Sequence, residues 1–291
     1  MSCFCPIPIA LLSAPNGSRS VLFNPTNFHE GKEEERQDGY KVRFMYLPCG
    51  KCDACLATRS REWALRCMHE AFDNEHNCFI TLTYNDKNLP SDNSLHKEHF
   101  QKFMKRLRKR FGKCRFFACG EYGDQGSRPH YHAILFGLDF NATCRLNDGV
   151  NWFKYSPELA GLWKFGFSSV GECNFQTCAY VARYCVKKLG KEELGNRVKE
   201  FVLMSNRPGI GRSYAEDNVF QNLESGFCVS QGRKIKVPRY YDKVSKQFEP
   251  VVYEHYYNER IKKIKPIDWA RIEQQEKFCE YLKTLKKDKK L

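Results

Sequence analysis

Residues 114–137 contain two strand-like runs, CRFFACGEY and HYHAILFG, joined by the turn-rich segment GDQGSRP. Aromatic and β-branched side chains bounded by Gly, Asp, Ser and Pro read as a β-hairpin with a longer loop, and a hairpin commits this part of the chain to an antiparallel sheet. Side chains at i and i+2 of a strand share one face. His130 and His132 therefore project side by side while Tyr131 points to the opposite face. Glu121 lies at the end of the preceding run, nine residues before His130, and hairpin pairing returns it to the two imidazoles. Two imidazoles and a carboxylate with open positions suit a catalytic divalent cation better than a closed structural site. Oxygen and imidazole donors favour Mg²⁺ or Mn²⁺. Paired strand histidines are also compatible with a hydrogen-bonded core, and the residues alone leave both readings open.

The flanking segments extend the sheet. TRSREWALRCMHEAF sets Trp63, Leu65, Cys67, Met68 and Phe72 at near-helical spacing, and CFITLTY (78–84) has the composition of a strand. KEHFQKFMKRLRKRF places Phe100, Phe103, Met104, Leu107 and Phe111 on one stripe, with Lys105, Arg106, Arg108, Lys109 and Arg110 supplying a basic run. PELAGLW predicts a short helix, GFSSVGECN a strand, and FQTCAYVARYCVKKL (175–189) a helix. The expected fold is α+β, an antiparallel sheet with helices packed on one face. A core over 58–190 is expected to follow an irregular extension, 1–57, with one strand at YKVRFMYLP, and to precede a basic C-terminal region, 191–291.

Lys and Arg number 48 against 34 acids, a formal charge of +14, which points to a polyanionic partner. Besides the 105–110 run, Arg128, Arg183 and Lys188 stand near the histidines or the tyrosine pair in sequence. Tyr180 and Tyr184 are four apart, on one face of the predicted helix, and Lys187 and Lys188 follow. Tyrosines so placed are a nucleophile pair beside cations able to hold a phosphate, or else simply packing residues. No run of about 18 apolar residues is present, so no membrane span is expected. The 15 cysteines are odd in number and the opening MSCFCPIPIA lacks the basic and apolar regions of a secretory leader, so the thiols read as reduced. Cys49, Cys52 and Cys55, at C-x-x-C-x-x-C spacing, offer three ligands for a structural Zn²⁺, with Cys3 or Cys5 as a fourth. Reduced thiols in a tight loop are the alternative.

The stretches PCGKCDACL, RSREWALRCMHEA, CFITLTY, FMKRLRKRF, CGEYGDQGSRPHYHAILFG, AYVARYCVKK, SNRPGIG and PRYYDK run in order along the chain. Together they resemble the HUH-endonuclease rolling-circle replication initiators, and more closely those of Microviridae phages of the gokushovirus type. The resemblance implies an HUH/Rep-type, ferredoxin-like or RRM-like fold, with His130 and His132 as metal ligands, Glu121 as the acidic third ligand, and Tyr180 and Tyr184 as catalytic tyrosines. It implies a nick in one strand of replicative DNA, leaving a 5′-phosphotyrosine and a 3′-hydroxyl primer. Tyr184 begins YCVK, similar to the Tyr-x-x-Lys arrangement of single-tyrosine initiators, so Lys187 is assigned to assist Tyr184 in the first cut and Tyr180 to termination. The implied partners are origin DNA, single-stranded or locally melted, together with a host helicase and replicative polymerase in the bacterial cytoplasm. A relaxase or transposase of the same superfamily, and a non-catalytic nucleic-acid binder, are the alternatives.

Overall fold

The computed structural model describes residues 3–123, 126–140, 144–147, 152–183 and 195–288. Internal contacts divide the chain into two units, 1–58 with 259–291, and 59–258. In the first unit β1 (Ile7–Ser13), β2 (Arg19–Phe23), β3 (Glu33–Glu35) and β4 (Lys41–Leu47) form an antiparallel sheet in the order β2-β1-β4-β3. Ala10, Val42 and Phe44 form its buried cluster. The expectation of irregular terminal extensions is corrected here. Pro15, Asn16 and Gly17 make the turn between two strands, with Gly17 N–H donating to Ala14 O and Gly17 at φ 81°. Composition that reads as loop is thus the punctuation of a short-stranded sheet. Towards the C-terminus the chain is helical over Arg239–Phe248, Pro250–Lys262 and Trp269–Asp288.

The second unit holds a seven-stranded sheet. Its strands are β5 (Asn77–Tyr84), β6 (Arg115–Tyr122), β7 (Pro129–Phe136), β8 (Cys144–Asn147), β9 (Trp152–Tyr155), β10 (Gly166–Glu172) and β11 (Phe201–Met204). They are ordered β11-β6-β7-β5-β10-β9-β8, and every neighbouring pair is antiparallel. With the helices α1 (Asp53–Phe72), α2 (Lys97–Phe111), α3 (Pro157–Leu162) and α4 (Phe175–Arg183), this is an α+β fold of the HUH/Rep type. The predicted hairpin is β6–β7.

The helices cover both faces of the sheet rather than one. Tyr131, Ala133 and Leu135 of β7 pack with Phe100, Phe103, Met104 and Leu107 of α2 and Leu159 and Leu162 of α3. The alternate residues Ile134 and Phe136 pack with Ala64 and Cys67 of α1 and Cys178, Val181 and Ala182 of α4. The physical reason is visible in the central strands. After their first residues β6 and β7 are buried almost continuously instead of alternating in and out, the pattern of strands sandwiched between two layers. Each of the four α2 side chains contributes about 1.5–3 kcal/mol by leaving water. Gly112, at φ 83°, ends α2 in the left-handed region that glycine occupies without steric cost, and its N–H donates to Arg108 O.

Tyr131, between the two histidines, fixes β7 from the α2 side. Its buried hydroxyl donates to His96 O at 2.8 Å, accepts from His96 N at 3.0 Å and lies 2.7 Å from the Tyr84 hydroxyl. Tyr131→Phe removes the centre of this network and leaves buried polar groups short of a partner, which costs about 1–3 kcal/mol. Urea unfolding of the variant should show that loss, and an unchanged midpoint would mean that the network does not hold the strand.

Candidate active site

The β6–β7 register sets Glu121 opposite His130 and Cys119 opposite His132, while β5 on the other side sets Thr83 opposite His130 and Thr81 opposite His132. Directly paired residues of antiparallel strands point the same way, so Glu121, His130, His132 and Thr81 share the face that α4 covers. Glu121 is 1% exposed and His132 7%. His130 Nε2 lies 2.8 Å and His132 Nε2 2.7 Å from the same oxygen, Glu121 Oε1.

Each ring is oriented through its other nitrogen. His130 Nδ1 is 3.0 Å from Arg128 O, and a carbonyl only accepts, so Nδ1 carries a proton and donates it. In neutral His130 the lone pair is then on Nε2, facing Glu121. His132 Nδ1 is 2.9 Å from Thr81 Oγ1, which likewise turns Nε2 inward. Phe79 stacks on the His132 ring at 5.3 Å. Outer partners that fix tautomer and ring plane in this way are the usual support of metal-binding histidines.

The fourth member comes from α4. Asn174 caps that helix, its Oδ1 accepting from Thr177 N at 3.0 Å while Thr177 Oγ1 accepts from Asn174 N at 3.0 Å. Cys178, Val181 and Ala182 bury one side of α4 against the sheet, and Ser60 Oγ donates to Ala179 O at 3.0 Å. The helix is thereby set so that the Tyr180 hydroxyl donates to Glu121 Oε1 at 2.7 Å. Its ring stands edge-on to His132, 5.1 Å between centroids.

Burial pushes the Glu121 carboxyl up, but His130 and His132 outweigh it and hold the group at about 2. For His130 burial disfavours the charge, yet the contact with Glu121 prevails and its pKa is raised; for His132 burial prevails and its pKa is lowered. His132 Nε2, despite its distance from Oε1, makes no hydrogen bond, and Glu121 Oε2 has none either among the described residues. Two buried polar atoms without partners, in a set of two imidazole nitrogens and a carboxylate whose ligand atoms lie within 4.8 Å of one another, fit a divalent cation.

The other sequence-predicted site residues are dispersed. Tyr184, Lys187 and Lys188 lie outside the described residues. Arg183 ends α4 with its guanidinium 6.0 Å from the Tyr180 ring centroid. Arg128, which begins the approach to β7, donates to Tyr84 O at 2.9 Å and pairs with Asp86. Lys105, Arg106, Arg108, Lys109 and Arg110 all sit on α2, in the layer covering the opposite face of the sheet from His130. Three of these are engaged locally. Arg106 donates to Leu162 O at 2.9 Å, Arg108 to Cys114 O, and Arg110 pairs with Glu158 at 2.8 Å. Thr81 is the contributor that the sequence reading missed. Alternation within CFITLTY marks Phe79, Thr81 and Thr83 as one face, but which strand that face meets is decided by sheet order. Cys49, Cys52 and Cys55 meet in the first unit, and the fourth cysteine beside them is Cys3 rather than Cys5.

Comparison with known proteins bears on this site directly. The family model for the replication-associated protein ORF2 matches residues 77–189, which include β5, β6, β7 and α4. The chain is 32% identical over 241 residues to the replication-associated protein ORF2 of Spiroplasma virus 4, covering 75% of this chain and 73% of that one. It is 33% identical over 226 residues to the replication-associated protein ORF4 of Chlamydia phage 1, covering 70% and 55%, respectively. It is 30% identical over 223 residues to the replication-associated protein VP4 of Bdellovibrio phage phiMH2K, covering 70% and 69%. No solved structure matches. With similarity of this extent spanning the β6–β7 hairpin and α4, the chain belongs to the phage replication-associated protein family.

Proposed function

We propose that this chain initiates phage DNA replication by cutting one strand of the replicative duplex at the origin, and later rejoins unit-length single-stranded circles. The observation that carries the reading is the convergence of His130 Nε2, His132 Nε2 and the Tyr180 hydroxyl on Glu121 Oε1. A nucleophile type and a cation-binding set that meet at one buried oxygen suit attack on a phosphodiester. Membership of the replication-associated family supports DNA as the substrate. Among the described residues no helix is long and apolar enough to cross a membrane.

Glu121, His130 and His132 would hold Mg²⁺ or Mn²⁺, which when bound supplies positive charge to the phosphate oxygens. The protein groups do the rest. A tyrosine hydroxyl gives up its proton and its oxygen bonds to phosphorus as the bond from phosphorus to the 3′ oxygen breaks. The 3′ oxygen takes a proton and becomes the primer hydroxyl. One phosphodiester replaces another, so the same chemistry in reverse reseals a strand without an external energy source. Tyrosine is a poor nucleophile at its ordinary pKa of about 10, and neighbouring cations such as Arg183 favour the phenolate. Tyr184, assisted by Lys187, is assigned the initiating cut and Tyr180 the termination step. The hydroxyl of Tyr180 at Glu121 supports its use as a nucleophile in that second step.

The test is incubation of the full chain with single-stranded origin DNA and Mn²⁺, followed by denaturing electrophoresis for a covalent adduct. His130→Ala with His132→Ala should abolish the adduct and retain most of the DNA affinity, since phosphate contacts come chiefly from basic side chains. Normal metal-dependent cleavage by the double variant would refute the site. Separately, Tyr184→Phe should lose the initial adduct while Tyr180→Phe forms it and fails to release circles. Adduct formation by Tyr184→Phe at the normal rate would reverse the order.

Binding should weaken steeply with salt, with a log–log slope of about −0.9 per neutralised phosphate on duplex DNA and about −0.7 on single strands. Lys105→Ala and Lys109→Ala, both exposed on α2, should each make the duplex slope shallower by about 0.9. An unchanged slope in both would remove α2 from the DNA-binding surface.

A further inference from the structure

Four thiols of the first unit have no part in the chemistry above. Cys49, Cys52 and Cys55 follow one another in the segment between β4 and the first turn of α1, and the fold brings Cys3 to them from 46 residues away. The Sγ atoms of all four lie within 4.8 Å of one another, and those of Cys3 and Cys52 are 3.7 Å apart. A tetrahedral zinc thiolate with bonds of about 2.3 Å spaces its sulfurs about 3.8 Å apart, so the cluster has the dimensions of a coordination sphere. All four are free cysteines.

The surroundings suit negative sulfur. Cys49 N donates to Cys3 Sγ at 3.2 Å, Phe4 N to Cys52 Sγ at 3.3 Å, and Lys51 N and Cys52 N to Cys49 Sγ at 3.4 and 3.3 Å. Amides donating to ligand sulfurs are the outer partners that stabilise metal thiolates. Cys55 stands in the first turn of α1, where unpaired helix N–H groups add to the positive field. Phe4, Ala54 and Ile272 form a buried apolar cluster against which Cys52 packs. Soft sulfur donors exclude magnesium, and four of them leave no open position for a substrate.

We propose that Cys3, Cys49, Cys52 and Cys55 bind one structural zinc ion, which fastens the start of the chain to the segment between β4 and α1. The β1–β4 sheet lies between Cys3 and Cys49, so the ion closes the loop that contains it. Each thiol releases its proton to solvent on binding, and no electron is transferred. Cys5 is exposed and outside the cluster, and Cys279 packs near Cys52 without joining it. The site shares no residue with the proposed nuclease centre.

The experiment is elemental analysis of the full chain purified without chelators, with zinc-edge X-ray absorption on the same sample. The expected results are about one zinc per chain and four sulfur neighbours at about 2.3 Å. Cys3→Ser and Cys52→Ser should lose the zinc, while Cys5→Ser and the His130→Ala, His132→Ala double variant keep it. The absorption spectrum comes from the unaltered chain, so misfolding of a variant does not decide the outcome. A zinc-free chain overturns the proposal. So does a spectrum of nitrogen and oxygen neighbours, or zinc lost in the histidine variant and kept in Cys52→Ser.

Discussion

The pairing of Glu121 with His130 across the β6–β7 hairpin is the constraint on which the rest of the site depends. Side chains alternate along a strand, so a slip of one residue would turn the carboxylate to the α2 face and leave the imidazoles behind. Apolar residues on both faces make that slip costly. Ile134 and Phe136 belong to the α1–α4 layer and Ala133 and Leu135 to the α2 layer, so a shifted strand would misplace both sets. The geometry of three polar side chains is therefore held by packing that contains none of them.

That packing supports an arrangement with little intrinsic stability. A carboxylate that is 1% exposed is expensive to bury. Its pairing is also incomplete, since Oε2 has no partner among the described residues and His132 Nε2 faces Oε1 without a hydrogen bond. Protonation of His130 relieves part of the charge, in keeping with its raised pKa. Elsewhere in the same sheet, Tyr84 and Tyr131 show how buried polar groups are ordinarily satisfied, each hydroxyl having partners on neighbouring elements. The contrast between the two faces of one strand separates a network built for stability from a cluster left open for a ligand.

Much of this was legible in the sequence because it is local. The hairpin, the amphipathic α2 and the same-face placement of His130 and His132 follow from periodicity and turn chemistry within some 15 to 25 residues. What could not be read depends on partners far along the chain. The nearly continuous apolar runs of β6 and β7 announce burial without saying how many helical layers supply it. Thr81 joins the site through the order of strands in the sheet. Cys3 rather than Cys5 meets the other cysteines because β1 returns antiparallel to β4, with Ile7 opposite Leu47. The strands of the first unit are short and their turns rich in Pro and Gly, so composition hid them.

The placement of α2 changes how charge is to be understood in this chain. A run of five basic residues beside an apolar stripe suggests a groove that leads to the reacting groups, yet the sheet stands between that run and His130. Arg106, Arg108 and Arg110 are engaged with Leu162, Cys114 and Glu158, which leaves exposed Lys105 and Lys109 as the cations there best able to meet a phosphate. At the cluster itself a nearby cation is Arg183, one helical turn from Tyr180. On the proposed function, contacts made by α2 position DNA without touching the scissile phosphate, while Arg183 acts at the reaction. Affinity and chemistry then rest on different layers of the fold, and the sheet that separates them is also the element that fixes the histidines.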